Sequence, residues 1–196
     1  MNAIVLAGTI VGAIRALQKQ WREVIEDIRT GTLNPKITEP ELRSEVETKV
    51  LLNPNPELAA KLEMECSKDE TWENIIPRLF PNARLIECII TGSMYQYAPA
   101  LKKFAGGVPI ASLSYGSSEA NHMGLNPNGN CAPEDVSYML WPEAAYFEFL
   151  PLENSDDMDQ DDAQGDQLKV LEACDLELGK DYELLLTTVT GMSILP

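Results

Sequence analysis

Residues 85–119 read LIECIITGSMYQYAPALKKFAGGVPIASLSYGSSE, and this stretch decides the fold. Two short apolar runs, 85–91 and 108–115, have the composition of buried strands. Between them, residues 95–105 are expected to be helical for part of their length, with Pro99 near the start of the helix. A strand, a crossover helix and a second strand form a βαβ unit, whose strands are parallel. The stretch therefore predicts an α/β fold.

Each apolar run is followed by a polar loop that contains glycine, Thr91–Met94 after the first and Tyr115–Glu119 after the second. Ligands of open α/β sheets bind outside the carboxyl ends of the strands. If the two strands are neighbours, Gly92 and Gly116 lie at the same edge of the sheet and both loops face one crevice. The spacing thus predicts a pocket without naming its ligand.

The second loop, Tyr115-Gly116-Ser117-Ser118-Glu119, has the chemistry to bind a nucleotide. The aromatic ring offers a face to a flat base, and the glycine lets the backbone approach closely. The hydroxyls can bind a phosphate or a carboxylate, and the carboxylate can hold Mg²⁺. The alternative is an ordinary polar turn after a strand, with the tyrosine in a core and the carboxylate in solvent.

The first part of the chain, residues 1–83, is expected to be mainly helical. Residues 10–28 carry apolar side chains at three- and four-residue steps, which predicts an amphipathic helix that ends at Gly31. A second helix is expected to start near Pro40, because proline suits the first helical position. Two further helices are expected at 56–66 and 71–79.

The second part, residues 84–196, is expected to be sheet-rich within the same single domain, giving a mixed sheet with flanking helices. Further strands are predicted at 145–150, 168–174 and 182–190, antiparallel at least in part. Residues 153–166 contain seven acidic residues and neither Lys nor Arg, which predicts an exposed, poorly ordered loop.

The composition excludes several classes of partner. The chain of 196 residues has 31 acidic and 15 basic residues and a net charge of −16. Nucleic acid and anionic membranes both attract basic surfaces, so we expect neither as a partner.

The four cysteines have no metal-binding spacing, and free thiols in a reducing compartment are expected. The apolar N-terminal residues 1–14 lack the features of a signal peptide or an anchor, which favours the cytoplasm.

Taken together, these motifs resemble the plant Gretchen Hagen family of acyl acid-amido synthetases. The resemblance runs from about residue 10 to residue 191. The segments that carry it are Asp27–Leu33, Trp72–Ile76, Thr91–Met94, Gly106–Pro109, Tyr115–Glu119, Ser137-Tyr138 and Ala145–Pro151.

The resemblance implies part of the large N-terminal domain of an adenylate-forming, luciferase-like enzyme. Such enzymes use ATP and Mg²⁺ to activate a carboxylic acid as an acyl-adenylate with release of pyrophosphate. An amino acid amine then attacks the acyl carbon. The acid is expected to be a plant hormone of the auxin or jasmonate type, and the activity is that of an acid-amino acid ligase.

The resemblance also assigns roles to residues of both loops. Tyr115 stacks on adenine, Ser117 and Ser118 approach the α-phosphate and the acyl group, and Glu119 holds Mg²⁺. Gly116 stands where the plant family more often has alanine. The loop Gly92-Ser93-Met94 lines adenine and part of the acid pocket, and Ser137 and Tyr138 border the acid. A Ser–His hydrolase is disfavoured, because His122, the only histidine, follows the motif in a loop.

The family enzymes are longer than this chain, which resembles an internal piece of them. Their phosphate-clamping loop, their ribose-binding Asp and their mobile C-terminal domain have no counterpart in residues 1–196. We therefore expect an incomplete chain that is inactive alone. The alternatives are a non-catalytic remnant that binds the hormone acid or associates with full-length relatives, and an acidic interaction module built around 153–166.

Overall fold

The computed structural model describes residues 5–120, 122–129, 131–152 and 170–188, and the backbone of 191–194. The described residues fall into two compact units. The first contains the residues up to Leu113 together with Asn128–Val136, and the second contains Ser114–Pro127 and the residues from Ser137 onward. Helices dominate the first unit and strands the second, so the α/β class is confirmed.

Five α-helices build the first unit, and their termini follow the sequence signals. Gly31 ends the first helix in the left-handed conformation, with φ of 69°, as predicted. Proline occupies the first turn of the second, third and fifth helices. The helices are α1 Ala7–Thr30, α2 Pro40–Lys49, α3 Pro56–Ser67, α4 Ile75–Leu79 and α5 Ala98–Ala105.

The core of this unit forms where α1 packs against α3 and α5. Val11, Trp21 and Ile25 bury one face of α1, and Leu101 of α5 is fully buried. The apolar positions of α1 recur at helical spacing, so burying this stripe stabilises the helix. None of the helices in the described ranges is both long enough and apolar enough to cross a bilayer.

The helix predicted over 71–79 starts later than expected, at Ile75. Trp72 and Asn74 take left-handed backbone conformations, with φ of 54° and 57°, which no right-handed helix allows. Tertiary contacts account for this. The indole nitrogen of Trp72 donates to the Cys66 carbonyl, and the amide of Asn74 donates to the carbonyl of Lys103 on α5.

The predicted parallel pair is present as two short strands, β1 Ile86–Glu87 and β2 Ile110–Ala111. Ile86 is aligned with Ile110 and Glu87 with Ala111. The connection through α5 confirms the βαβ unit.

The prediction of one continuous strand over 108–115 is wrong. The run divides after β2, because Ser114 and Tyr115 pair instead with a strand of the second unit. Those two residues form β3, Ser114–Tyr115, the first strand of that unit.

The second unit contains two antiparallel sheets of three strands each. The first consists of β3, β4 Gly124–Leu125 and β5 Met139–Leu140, in that order. The second consists of β6 Tyr146–Pro151, β7 Tyr182–Thr188 and β8 Gly191–Ile194. The strands predicted at 145–150 and 182–190 are confirmed as the antiparallel pair β6 and β7.

The strand predicted over 168–174 is wrong for its described residues. Only Leu171 pairs with the sheet, through an isolated bridge to Phe149, and Ala173–Asp175 forms a 3-10 helix. The acidic segment 153–166 lies outside the described residues.

A backbone hydrogen bond joins α1 to the residue just before α3. The amide of Asn55, just before α3, donates to the carbonyl of Ile28 in α1. Between these two helices, α2 has no buried residue, and Arg43 on it donates to the carbonyls of Leu33, Asn34 and Ile37.

Candidate functional site

The turn Tyr115–Glu119 is closed by its own hydroxyl groups. The Ser117 hydroxyl accepts from the backbone amides of Glu119 and Ala120, at 3.2 and 3.3 Å. The Ser117 amide in turn donates to the Ala120 carbonyl at 2.9 Å. Such serine-capped turns fix the backbone locally, so the turn presents its side chains in a defined arrangement.

Glu119 stands at the exposed end of this turn as an ionised carboxylate. The Ser118 hydroxyl donates to one carboxylate oxygen at 2.8 Å. Hydrogen bonds with the hydroxyls of Ser117 and Ser118, and with the residue's own amide, hold the pKa of Glu119 below its ordinary value. The carboxylate is therefore available as an anionic ligand near neutral pH.

The donor set suits Mg²⁺. One ionised carboxylate and two hydroxyls offer only oxygen, which this ion prefers. Over the described ranges, no group of three or more His, Cys, Asp or Glu side chains could hold a metal ion. An ion at Glu119 would therefore complete its coordination with substrate phosphates and water, as Mg²⁺ commonly does.

The structure brings together two of the predicted site residues that are distant in sequence, Tyr115 and Tyr138. Their ring centroids are 5.3 Å apart and their planes differ by 22°, which is a stacked arrangement. The sheet order places them there, because β3 pairs with β4 and β4 pairs with β5, which begins directly after Tyr138. Ser137, the other residue predicted to border the acid, is exposed beside them.

Gly92, Ser93 and Met94 belong to the first unit, where they start a 3-10 helix, Gly92–Tyr97. Gly92 has a φ of 54°, so the loop begins with a conformation that favours glycine. Ser93 is exposed, and Met94 packs against the core of the first unit. A crevice shared with Tyr115–Glu119 stays a prediction, because that turn belongs to the second unit.

Sequence reasoning missed two features of the second unit. The first is Gly124, which is buried opposite Tyr115 in β4. A glycine inside a strand often marks a close approach of its neighbours, but β4 is too short to be recognised as a strand. The second is a cleft of about 410 Å³ lined by Leu125, Met139, Leu140, Trp141, Pro142 and Glu143.

An aromatic stack beside an oxygen-rich turn is the arrangement expected of a protein that binds a flat base and a metal-associated phosphate. The sequence comparisons give the family. Residues 2–110 match the GH3 family N-terminal domain, and residues 138–193 match the GH3 family central domain. The chain belongs to the GH3 family, and the resemblance seen in the motifs is confirmed.

Two rice proteins illustrate the sequence similarity of this chain. It is 45% identical over 188 residues to "Probable indole-3-acetic acid-amido synthetase GH3.2" of Oryza sativa subsp. japonica. It is 40% identical over 189 residues to indole-3-acetic acid-amido synthetase GH3.8 of Oryza sativa subsp. indica. Each match covers 96% of this chain and 30% of the relative. The chain thus spans about 30% of the length of these relatives.

Solved structures agree with the sequence comparisons. The GH3.15 acyl acid amido synthetase superposes with a TM-score of 0.79 at 41% identity, covering 96% of this chain and 31% of that one. The AtGH3.15 acyl acid amido synthetase in complex with 2,4-DB gives a TM-score of 0.80 at 42% identity, with 96% and 30% covered. The predicted α/β fold, shared with part of these larger GH3 family proteins, is confirmed.

Proposed function

We propose that this chain carries the nucleotide- and acid-binding part of an ATP-dependent acyl acid-amido synthetase. The observation that carries the proposal is the turn Tyr115–Glu119, in which an ionised carboxylate and two hydroxyls stand beside a stacked pair of tyrosines. Membership of the GH3 family supports this assignment, because the relatives are named as amido synthetases.

In the proposed reaction, the carboxylate of the acid attacks the α-phosphate of ATP and pyrophosphate leaves. The amine of an amino acid then attacks the acyl carbon and AMP leaves. Tyr115 would hold the base through its ring, and Glu119 would hold the Mg²⁺ that offsets charge on the phosphates. Ser117 and Ser118 approach the α-phosphate and the acyl group, which would place the two reacting groups in contact. We assign Gly92, Ser93 and Met94 to the adenine side, and Ser137 and Tyr138 to the acid side.

For the acid we propose an auxin-type carboxylic acid, with a jasmonate-type acid as the alternative. The curated relatives named above act on indole-3-acetic acid by name, and one solved relative is a complex with 2,4-DB. For the compartment we propose the cytoplasm, because none of the four cysteines takes part in a disulfide and two of them, Cys66 and Cys88, are buried.

Nucleotide binding by the 196-residue chain tests the proposal. Isothermal titration calorimetry with ATP should show binding that depends on Mg²⁺. The Glu119→Gln variant should bind MgATP about tenfold more weakly, because an anionic ligand is lost. The matched control is Glu41→Gln, which makes the same change at an exposed position on α2.

Two outcomes would contradict the proposal. Binding that is equally strong in the Glu119→Gln variant would overturn the assigned metal ligand. Binding of indole-3-acetate with no ATP binding at all would instead favour a non-catalytic protein that binds the hormone acid.

A further inference from the structure

Gly124 is buried in the middle strand of the first sheet, aligned with Tyr115 of β3 on one side and with Leu140 of β5 on the other. A Cβ atom built at this position would lie 3.3 Å from the Cβ atoms of both Tyr115 and Tyr138, and 3.3 Å from the carbonyl oxygen of Met139. Contacts this short force the neighbours to move, because protein interiors have little free space. An alanine at 124 would therefore require these neighbours to shift by a few tenths of an ångström.

The backbone does not explain this glycine. Gly31 and Gly92 have positive φ angles, which favour glycine, but Gly124 is not among the glycines with positive φ. Gly124 lies in an extended strand that any residue could adopt. The requirement for glycine is therefore one of space beside the two rings.

The stack also occupies one of the two faces of the Tyr115 ring. A planar ring has two faces, and the ring of Tyr138 covers one of them in the stacked arrangement. Stacked aromatic pairs gain energy beyond the burial of their area, so Tyr138 restrains the orientation of Tyr115. A base that stacks on Tyr115 would have to use the face opposite Tyr138.

We propose that Gly124 is a positioning residue, which leaves room for Tyr138 to brace Tyr115 on the face opposite the nucleotide base. This rests on the proposed function, in which Tyr115 receives the base and Tyr138 borders the acid. A change at Tyr138 or Gly124 therefore alters affinity for the nucleotide, although neither residue contacts the base.

Calorimetry on the 196-residue chain tests this with two probes, MgATP and magnesium tripolyphosphate, which lacks a base. Tyr138→Leu removes the bracing ring and should weaken MgATP binding about two- to tenfold, the value of a stacked pair. Gly124→Ala should weaken it in the same direction. Tyr138→Phe keeps the ring and should restore most of the affinity that Tyr138→Leu loses.

The controls separate positioning from a general loss of structure. Gly12→Ala makes the same exchange at an exposed position on α1 where an added Cβ meets nothing within 4 Å, and it should leave MgATP binding unchanged. Tripolyphosphate affinity should change little in Gly124→Ala and Tyr138→Leu, because the base is absent from that probe. Thermal unfolding of each variant shows that it is folded.

Each of the following three results would overturn the inference. MgATP affinity that is unchanged in both Gly124→Ala and Tyr138→Leu overturns this inference and leaves the proposed function standing. Equal weakening of ATP and tripolyphosphate binding shows a general structural effect and overturns it as well. If the wild-type chain binds no ATP, the proposed function fails together with the inference.

Discussion

At the scale of single residues, the electrostatics of Glu119 depend on two neighbouring hydroxyls. Ser117 contributes most to the lowered pKa of this carboxyl, and Ser118 follows. Hydrogen bonds to a carboxylate favour its charged form, so the turn keeps the carboxylate ionised to lower pH than an isolated glutamate. The two serines just before Glu119 in the sequence thus keep ionised the carboxylate that we propose as a metal ligand.

We predict that Ser117→Ala raises the pKa of Glu119 toward its ordinary value of 4.5. Ser118→Ala should raise it less, because its hydroxyl is the smaller contributor. Titration of the Glu119 carboxyl carbon by NMR measures both changes. Ser44→Ala, which changes an exposed serine on α2, is the control and should leave the Glu119 titration unchanged. A Ser117→Ala curve that coincides with the wild-type curve would show that the hydroxyl does not hold the carboxylate.

The residues of this turn could be identified from the sequence, but the contacts that surround them could not be predicted from it. An aromatic, a glycine, two hydroxyls and a carboxylate at the end of an apolar run are visible in the printed chain. The stack of Tyr115 on Tyr138 depends on the pairing of strands of only two residues each. Such strands have no periodicity, so neither the stack nor the role of Gly124 can be inferred from the sequence pattern.

At the scale of elements, a cluster of charges joins α3 to α4. Arg78 on α4 bonds the carboxylates of Glu65 and Asp69 and the Glu65 carbonyl. The Thr71 hydroxyl donates to the other oxygen of Asp69 at 2.7 Å. The hydrogen bonds from Thr71 and Arg78 lower the pKa of Asp69 to about 2. This cluster crosses the irregular segment before α4.

We predict that Asp69 stabilises the fold above its ordinary pKa of 3.8 and that this contribution is lost as the pH falls through about 2. The sign follows because a lowered pKa means that the folded state favours the ionised form. Asp69→Asn should therefore unfold at lower urea concentration than the wild type near neutral pH. The difference should shrink as the solution is acidified toward pH 2.

Urea titrations at several pH values measure this, with Glu41→Gln on α2 as the charge-matched control. A difference between wild type and Asp69→Asn that stays constant down to pH 2 would argue against an ionic role for Asp69.

The sequence predicted the helix ends that are fixed by a local signal. It missed the helix start that is fixed by a tertiary contact. Gly31, Pro40 and Pro56 mark helix ends through their own backbone preferences. The start of α4 depends instead on the bond from the amide of Asn74 to the carbonyl of Lys103. The two residues are far apart in the chain, so local preferences could not indicate it.

At the scale of the whole molecule, the family was recognisable from motifs spread along the chain. The resemblance to the family supplied the roles that we expect for these motifs. The division into two units was not foreseen, because the sequence contains no linker between Leu113 and Ser114. The chain crosses from one unit to the other inside an apolar run that has the composition of a single strand.

We predict that the 196-residue chain shows no acid-dependent exchange between ATP and pyrophosphate. It spans about 30% of the length of its relatives, and each missing electrostatic donor to a transition state costs about 2.7–4 kcal/mol. A chimera in which these residues replace the matched part of the rice GH3.8 relative should regain exchange with indole-3-acetate. Glu119→Gln should suppress it in the chimera, with Glu41→Gln as the control.

Exchange by the isolated chain would show that its 196 residues are sufficient for adenylation. Undiminished exchange by the Glu119→Gln chimera would remove Glu119 from the site.

The contact between the end of α1 and the start of α3 has a consequence for cutting the chain. A Cβ at Gly31 would lie 2.6 Å from the backbone nitrogen of Pro54. The two ends of the segment that joins α1 to α3, and that contains α2, therefore lie against each other. Val50 and Leu52, beyond α2, are 71% and 65% exposed. Proteases cleave preferentially at such exposed segments. After cleavage there, the packing of α1 against α3 would hold the two fragments together.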